Sequence, residues 1–125
     1  MLIFNMFRDH LRAAAKEAGY AVELTDEYLD TLIWIYSSDA DKYLEVSPNG
    51  FIVGATSDQH LCMPGVKVAL EISWWVAPAA RGRGEGMELY NGFFKWAKEN
   101  KCKFILQGTN TKGARKLSEV WIKEI

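Results

Sequence analysis

At 125 residues, 49% hydrophobic and 13% aromatic, the chain is long enough for one buried core and too short for two ordinary domains, so it reads as a single domain over residues 1–125. Lys and Arg number 15 against 16 Asp and Glu, which excludes the global positive field that draws nucleic acid or an anionic membrane. Cys62 and Cys102 make no disulfide framework or metal-ligand cluster, no apolar run approaches the roughly 18 residues of a bilayer span, and the N-terminus lacks a leader pattern. The expectation is a soluble, cytoplasmic, metal-free protein.

In chain order, Phe4, Phe7, Leu11, Ala14, Ala15 and Ala18 recur at spacings of three and four, with charged residues between them, which predicts an amphipathic helix ended by Gly19. Thr25 followed by Asp26 and Glu27 starts a second helix, with Leu29, Leu32, Ile33 and Tyr36 as its buried stripe. Residues 43–47 and 51–56 are short β-prone runs separated by Pro48-Asn49-Gly50, a hairpin. A loop over residues 57–65 leads into a strand over 66–76 that is apolar on both sides and belongs inside a sheet. The glycine-rich turn Arg81-Gly82-Arg83-Gly84-Glu85-Gly86 opens a helix with Met87, Tyr90, Phe93, Phe94 and Ala97 on its buried side and Asn100 as its cap. A strand over 103–107 follows, then a last helix over about 112–123, with Leu117, Val120 and Trp121 inside and Lys112, Arg115, Lys116 and Lys123 on a solvated face. The strands near 66–76 and 103–107, linked by a crossover helix, are expected to be parallel neighbours in a mixed α/β domain.

The glycine turn carries the chemistry. A strand that runs through such a turn into a helix N-terminus presents several unpaired backbone N–H groups in one direction, and the helix dipole adds about half a positive charge. Gly82, Gly84 and Gly86 remove side chains that would hold a pyrophosphate off the backbone, and Arg81 and Arg83 add local charge. A Walker-type loop is excluded because Glu85-Gly86-Met87 stands where Lys-Ser or Lys-Thr is needed. A dinucleotide fingerprint is excluded because its third glycine falls on Met87 or Leu89.

The segment from Val76 to Leu89 resembles the acetyl-coenzyme A segment of the GNAT acetyltransferases, with Arg81, Gly84 and Gly86 at the core positions and Val76 and Pro78 before them. Asn49 to Gly54 resembles the family's preceding hairpin and Trp96 to Asn100 the end of its cofactor helix, so the likeness spans about residues 43–107. It implies a mixed, mostly antiparallel sheet flanked by helices with a central splayed parallel strand pair. It also implies acetyl transfer from acetyl-CoA, as cosubstrate, to a primary amine of a small molecule or protein. The backbone at Trp74, Trp75 and Val76 would then hold the pantetheine arm and the N–H groups from Gly82 to Met87, Glu85 included, the pyrophosphate.

For the base, simple alternation puts Glu71, Ser73 and Trp75 on one strand face, where a carboxyl beside tryptophan has a raised pKa; Ser73 is the alternative, positioning a water. The family's acid, a tyrosine in its last helix, has only Ser118 near its slot, and the two strands that close the family's sheet are read as missing. Glu85 stands where the family has an aliphatic residue. The rival readings are a coenzyme A-binding module without turnover and a polymer-binding module using Arg81 and Arg83. The partners implied are acetyl-CoA and an amine acceptor, with neither membrane nor nucleic acid; a homodimer stays open. The small size resembles that of phage-borne members, which would place the protein in a host cytoplasm.

Overall fold

The computed structural model describes residues 2–20, 22–108, 115–117 and 120–125. Helix α1, Leu2–Glu17, buries Phe7 and packs Phe4, Leu11 and Ala14 around it, and Gly19 takes the left-handed conformation at φ 82° that ends it. Helix α2, Asp26–Ser38, is capped by Thr25, whose side chain accepts from the Tyr28 N–H at 3.2 Å, and buries Leu29 and Ile33.

Strands β1, Lys42–Ser47, and β2, Gly50–Ser57, form the expected hairpin, and β3, Val68–Val76, pairs antiparallel with β2. After a single 3₁₀ turn at Pro78–Ala80, helix α3, Glu85–Glu99, crosses over to β4, Phe104–Gln107, which pairs parallel with β3. The sheet runs in the order β1-β2-β3-β4-β6-β5, where β5 is Arg115–Leu117 and β6 is Val120–Glu124, so β3 is interior, as its two-sided apolar sequence requires.

Period-two alternation in β2 divides the core between the two faces. Phe51 and Val53 join Phe7 and Ile33 under α1 and α2, while Ile52 joins Leu89 and Phe93 under α3. Gly54 lets α3 lie close, since a Cβ there would overlap the Phe93 ring.

The end of the chain departs from expectation. The helix read over 112–123 is replaced by β5 and β6, so Arg115, Lys116 and Lys123 sit on strands, and the closing strands read as missing are present. The physical reason is the edge of β4. Its N–H and C=O groups need a partner, and β6 supplies one from Phe104↔Glu124 to Gln107↔Trp121, burying Ile122 against Val68 and Leu106. The three-to-four spacing of Leu117, Val120 and Trp121 mimicked a helix, whereas Val120-Trp121-Ile122 has strand composition. Lys112 and Ser118 lie outside the described residues.

Replacing Gly54 with Ala should cost about 1–3 kcal/mol, because the ring it displaces is fully buried among other aromatics. Urea unfolding measures this, and an unchanged midpoint would show that α3 does not rest on β2 as described.

Candidate active site

Strands β3 and β4 share only three register pairs, from Val68↔Phe104 to Leu70↔Leu106. Beyond Leu70, β3 continues for six residues with β2 as its only paired neighbour among the described residues, and the fork so opened leaves one backbone edge of Glu71 to Val76 without a described strand partner.

Nine residues of β3 face eight of β2. Val53 pairs with Ser73 and Gly54 with Glu71, so Ile72 is a bulge at the mouth of the fork. The bulge overturns the expectation that Glu71, Ser73 and Trp75 share a face. Cross-strand partners lie on the same side of a sheet, and the missing Cβ of Gly54 points at Phe93, so Glu71 belongs to the α3 side. Ser73, opposite Val53, and Trp75, opposite Phe51, belong to the α1–α2 side. Burial pushes the Glu71 carboxyl up to about 7, partly offset by the backbone N–H of Gly108 just past β4, which favours the charged form.

The end of β3 is tied to α3. A Cβ on Gly86 would sit 3.3 Å from Val76 Cγ2, so this glycine allows close helix–strand contact. The Trp74 indole N–H donates to the Gly86 carbonyl at 3.2 Å, and its ring stacks on Tyr90 at 5.2 Å. Tyr90 in turn donates to the buried Gln107 of β4 at 2.7 Å. Trp75 turns the other way and donates to Glu17 at 3.3 Å.

In the turn, Gly82 and Gly84 hold φ values of 81° and 93°, a region disfavoured for residues with a side chain, with open space around both. Gly84 is the N-cap of α3; the first helical bond runs from the Glu88 N–H to its carbonyl at 3.0 Å. The N–H groups of Gly84, Glu85, Gly86 and Met87 therefore lack helical acceptors and have none elsewhere among the described residues. Bare amides at a helix N-terminus favour a negative charge, which makes this turn a candidate anion cradle.

The two arginines play different parts. Arg81 is committed to the scaffold: its Nε–H donates to the Val76 carbonyl at 2.9 Å and its Nη2 pairs with Glu17 at 2.6 Å, which holds the Glu17 carboxyl below its usual range. Arg83 is exposed and forms no ion pair among the described residues.

Glu85 accepts from Ser47 Oγ, from the Asn49 backbone N–H at 2.7 Å and from Asn49 Nδ2 at 3.0 Å. These bonds, the one from Ser47 foremost, lower its pKa. The departure at this position thus clamps the hairpin turn to the start of α3 and turns the carboxylate away from the cradle. Sequence reasoning missed Ser47, Asn49 and Glu17, because their roles depend on partners 36 or more positions away.

On the α1–α2 side a cavity of about 570 Å³ lies between the two helices and β3. Ile72, Ser73 and Trp75 form its strand wall, and Tyr20, Tyr28 and Tyr36 stand on the helical side. Glu71 does not line it. Among the described residues no cluster of metal-ligating side chains occurs, and no helix is long and apolar enough to cross a membrane. Ser118, the candidate acid, lies outside the described residues.

The acetyltransferase (GNAT) family matches the chain over residues 4–118. The chain belongs to the GNAT acetyltransferase family. No curated protein matches it. Among solved structures it is similar to glucosamine-6-phosphate N-acetyltransferase from Arabidopsis thaliana, with a TM-score of 0.67 at 12% identity, covering 88% of this chain and 80% of that one. It is also similar to the aminoglycoside acetyltransferase meta-AAC0020 from an uncultured soil metagenomic sample, with a TM-score of 0.61 at 14% identity, covering 87% and 72%. At such identities the likeness establishes the GNAT fold: a mixed α/β domain, mostly antiparallel, with a central parallel pair that parts.

The lowered pKa of Glu85 means that its bonds stabilise the fold above the usual carboxylate range and are lost as pH falls through the folded value. A Glu85→Gln variant should therefore melt below the parent at neutral pH, with the gap closing as pH falls through the folded value and the parent carboxyl takes up a proton as well. Equal melting temperatures at neutral pH would dissolve the clamp.

Proposed function

We propose that the chain, as a single domain, moves the acetyl group of acetyl-CoA to a primary amine. The observation that carries this reading is an anion cradle at Gly82–Met87 set just past a strand whose backbone edge is open from Glu71 to Val76. A diphosphate with a long amide-bearing arm suits both at once. The fit rests on two glycines held at positive φ with open space beside them, where side chains would be strained, and on four N–H groups without acceptors.

In this reading the cradle amides and Arg83 hold the pyrophosphate, and the open edge of β3 at Trp74 and the Val76 N–H bind the pantetheine amides, the Val76 carbonyl being taken by Arg81 and the Trp75 carbonyl turned towards β2. Acetyl-CoA supplies an activated thioester at the fork. A backbone N–H on the open edge of β3 at the fork stabilises the oxyanion that develops as the amine attacks. The new N–C bond forms, the C–S bond breaks, and an amine arriving as ammonium gives up two protons, one of which ends on the thiolate. Glu71, with its carboxyl at about 7, is poised to take the first. Ser73 lies on the cavity wall, where it can hold a water between amine and carboxylate. The free Cys62 and Cys102 suit a reducing cytoplasm. The rival of a binding module without turnover loses one of its grounds with the appearance of β5 and β6.

Calorimetry with acetyl-CoA should show one site per chain in the parent and none after Gly84→Val, which puts a branched side chain at φ 93°. Uptake unchanged by that substitution would remove the cradle from the account. If Glu71 is the base, kcat/KM should rise with pH through about 7, and Glu71→Gln should flatten that limb and lower the rate about 10²–10⁴-fold. A variant keeping both rate and profile would exclude Glu71.

A further inference from the structure

The cavity beside Ser73 narrows the acceptor. This step rests on the acetyltransferase reading above. Its volume, about 570 Å³, is that of a site for a small molecule rather than a polymer. Its walls are chiefly apolar and aromatic, with Phe7, Leu11, Leu32 and Trp75 among them and hydroxyls at Tyr28 and Tyr36.

Charge is the deciding property. Among the described residues no Lys, Arg or His lines the cavity, so a phosphate carried into it would find no cation on those walls. The one carboxylate among the described wall residues, Glu17, has its charge matched by Arg81, whose guanidinium and the Trp75 indole N–H both donate to its Oε1. A ligand with several ammonium groups would therefore meet no anion among the described walls whose charge is not already matched. The reacting nitrogen is different, because it must be neutral when it attacks and so needs no buried counter-ion. Ser73 and Ile72 put that nitrogen at the mouth of the fork, where β3 parts from β4.

We infer that the acceptor is an arylalkyl primary amine with a single charge, its ring held among the aromatic and aliphatic walls between α1, α2 and β3 and its amine beside Ser73. The two similar structures carry names of sugar acetyltransferases. A phosphorylated sugar and a polycationic sugar are the two classes this cavity is least equipped to hold.

The test measures binding without acetyl-CoA, by quenching of tryptophan fluorescence, with phenethylamine, spermidine and glucosamine phosphate as probes. Phenethylamine should bind at least about tenfold more tightly than either of the others. Two substitutions fill the cavity: Ala14→Trp, on α1, and Ala18→Trp, at an exposed position where a large side chain does not threaten folding. Each should weaken phenethylamine about tenfold or more while acetyl-CoA uptake by calorimetry stays at the parent level. Tighter or equal binding of spermidine or glucosamine phosphate overturns the inference. So does phenethylamine binding that is absent in the parent or unchanged in Ala18→Trp with its circular dichroism intact. A parent that binds phenethylamine but takes up no acetyl-CoA would instead sink the acetyltransferase reading alone.

Discussion

Past Leu70, β3 has a paired strand on one side only among the described residues, and the candidate site is organised around that asymmetry. Backbone N–H and C=O groups on the open edge carry an unmet demand for partners, which water or a ligand must satisfy. The opening is held from both sides. Gly86 against Val76, the Trp74 bond to the Gly86 carbonyl and the Ala77 N–H bond to the Asn49 carbonyl at 2.7 Å fix the end of β3 to α3 and the hairpin. The Tyr90–Gln107 bond anchors β4 under the middle of the same helix, and β6 occupies the edge of β4 that would otherwise be free. A fork pinned in this way is part of the folded architecture, so a ligand entering it meets amides already oriented.

The charges near the cradle are sorted by the same contacts. A glutamate in the first turn of α3 favours the helix dipole but would repel a phosphate at the N-terminus. Three donors from Ser47 and Asn49 resolve the conflict by drawing the Glu85 carboxylate to the hairpin. Arg81 is likewise spent inside the fold, on Val76 and Glu17, which leaves the dipole, the four amides and Arg83 as the field a phosphate would feel. The Arg81–Glu17 pair also joins the turn to the helix that walls the cavity, so one guanidinium links the two halves of the proposed site.

How much of this was legible follows from the range of the interactions. Both opening helices, the hairpin, the interior strand and the turn into α3 are local features: Thr25 caps where a threonine before two acids should, and Gly19 and Gly84 take the conformations only glycine takes readily. The last segment was misread because its strands answer to the edge of β4, and an apolar residue every three or four positions does not report on a distant edge. The bulge was hidden for a related reason. Nothing in the run Val-Ala-Leu-Glu-Ile-Ser-Trp-Trp-Val says that its partner strand is one residue shorter, yet that single residue decides which face Glu71 occupies. The glycine turn and its bare amides could be read because they are main-chain and contiguous; the cavity could not, because its walls come from three separated elements.

The bulge has a mechanistic consequence in the proposed reaction. With regular pairing, Glu71 and Ser73 would lie together, and a carboxylate would stand directly against the incoming amine. One extra residue places the carboxyl on the α3 side of the sheet and the serine on the cavity side, with the fork between them. In that reaction the amine enters through a chiefly apolar cavity with no unmatched charge among its described walls, while Glu71 stays half-buried on the opposite side, where desolvation raises its pKa towards the working range of a general base. A proton passing from one to the other must cross the fork, and the open backbone edge of β3 is where a bridging water would find donors and acceptors. Separating base from acceptor in this way lets each environment be tuned without spoiling the other: apolar for the amine's body, desolvated but reachable for the carboxyl.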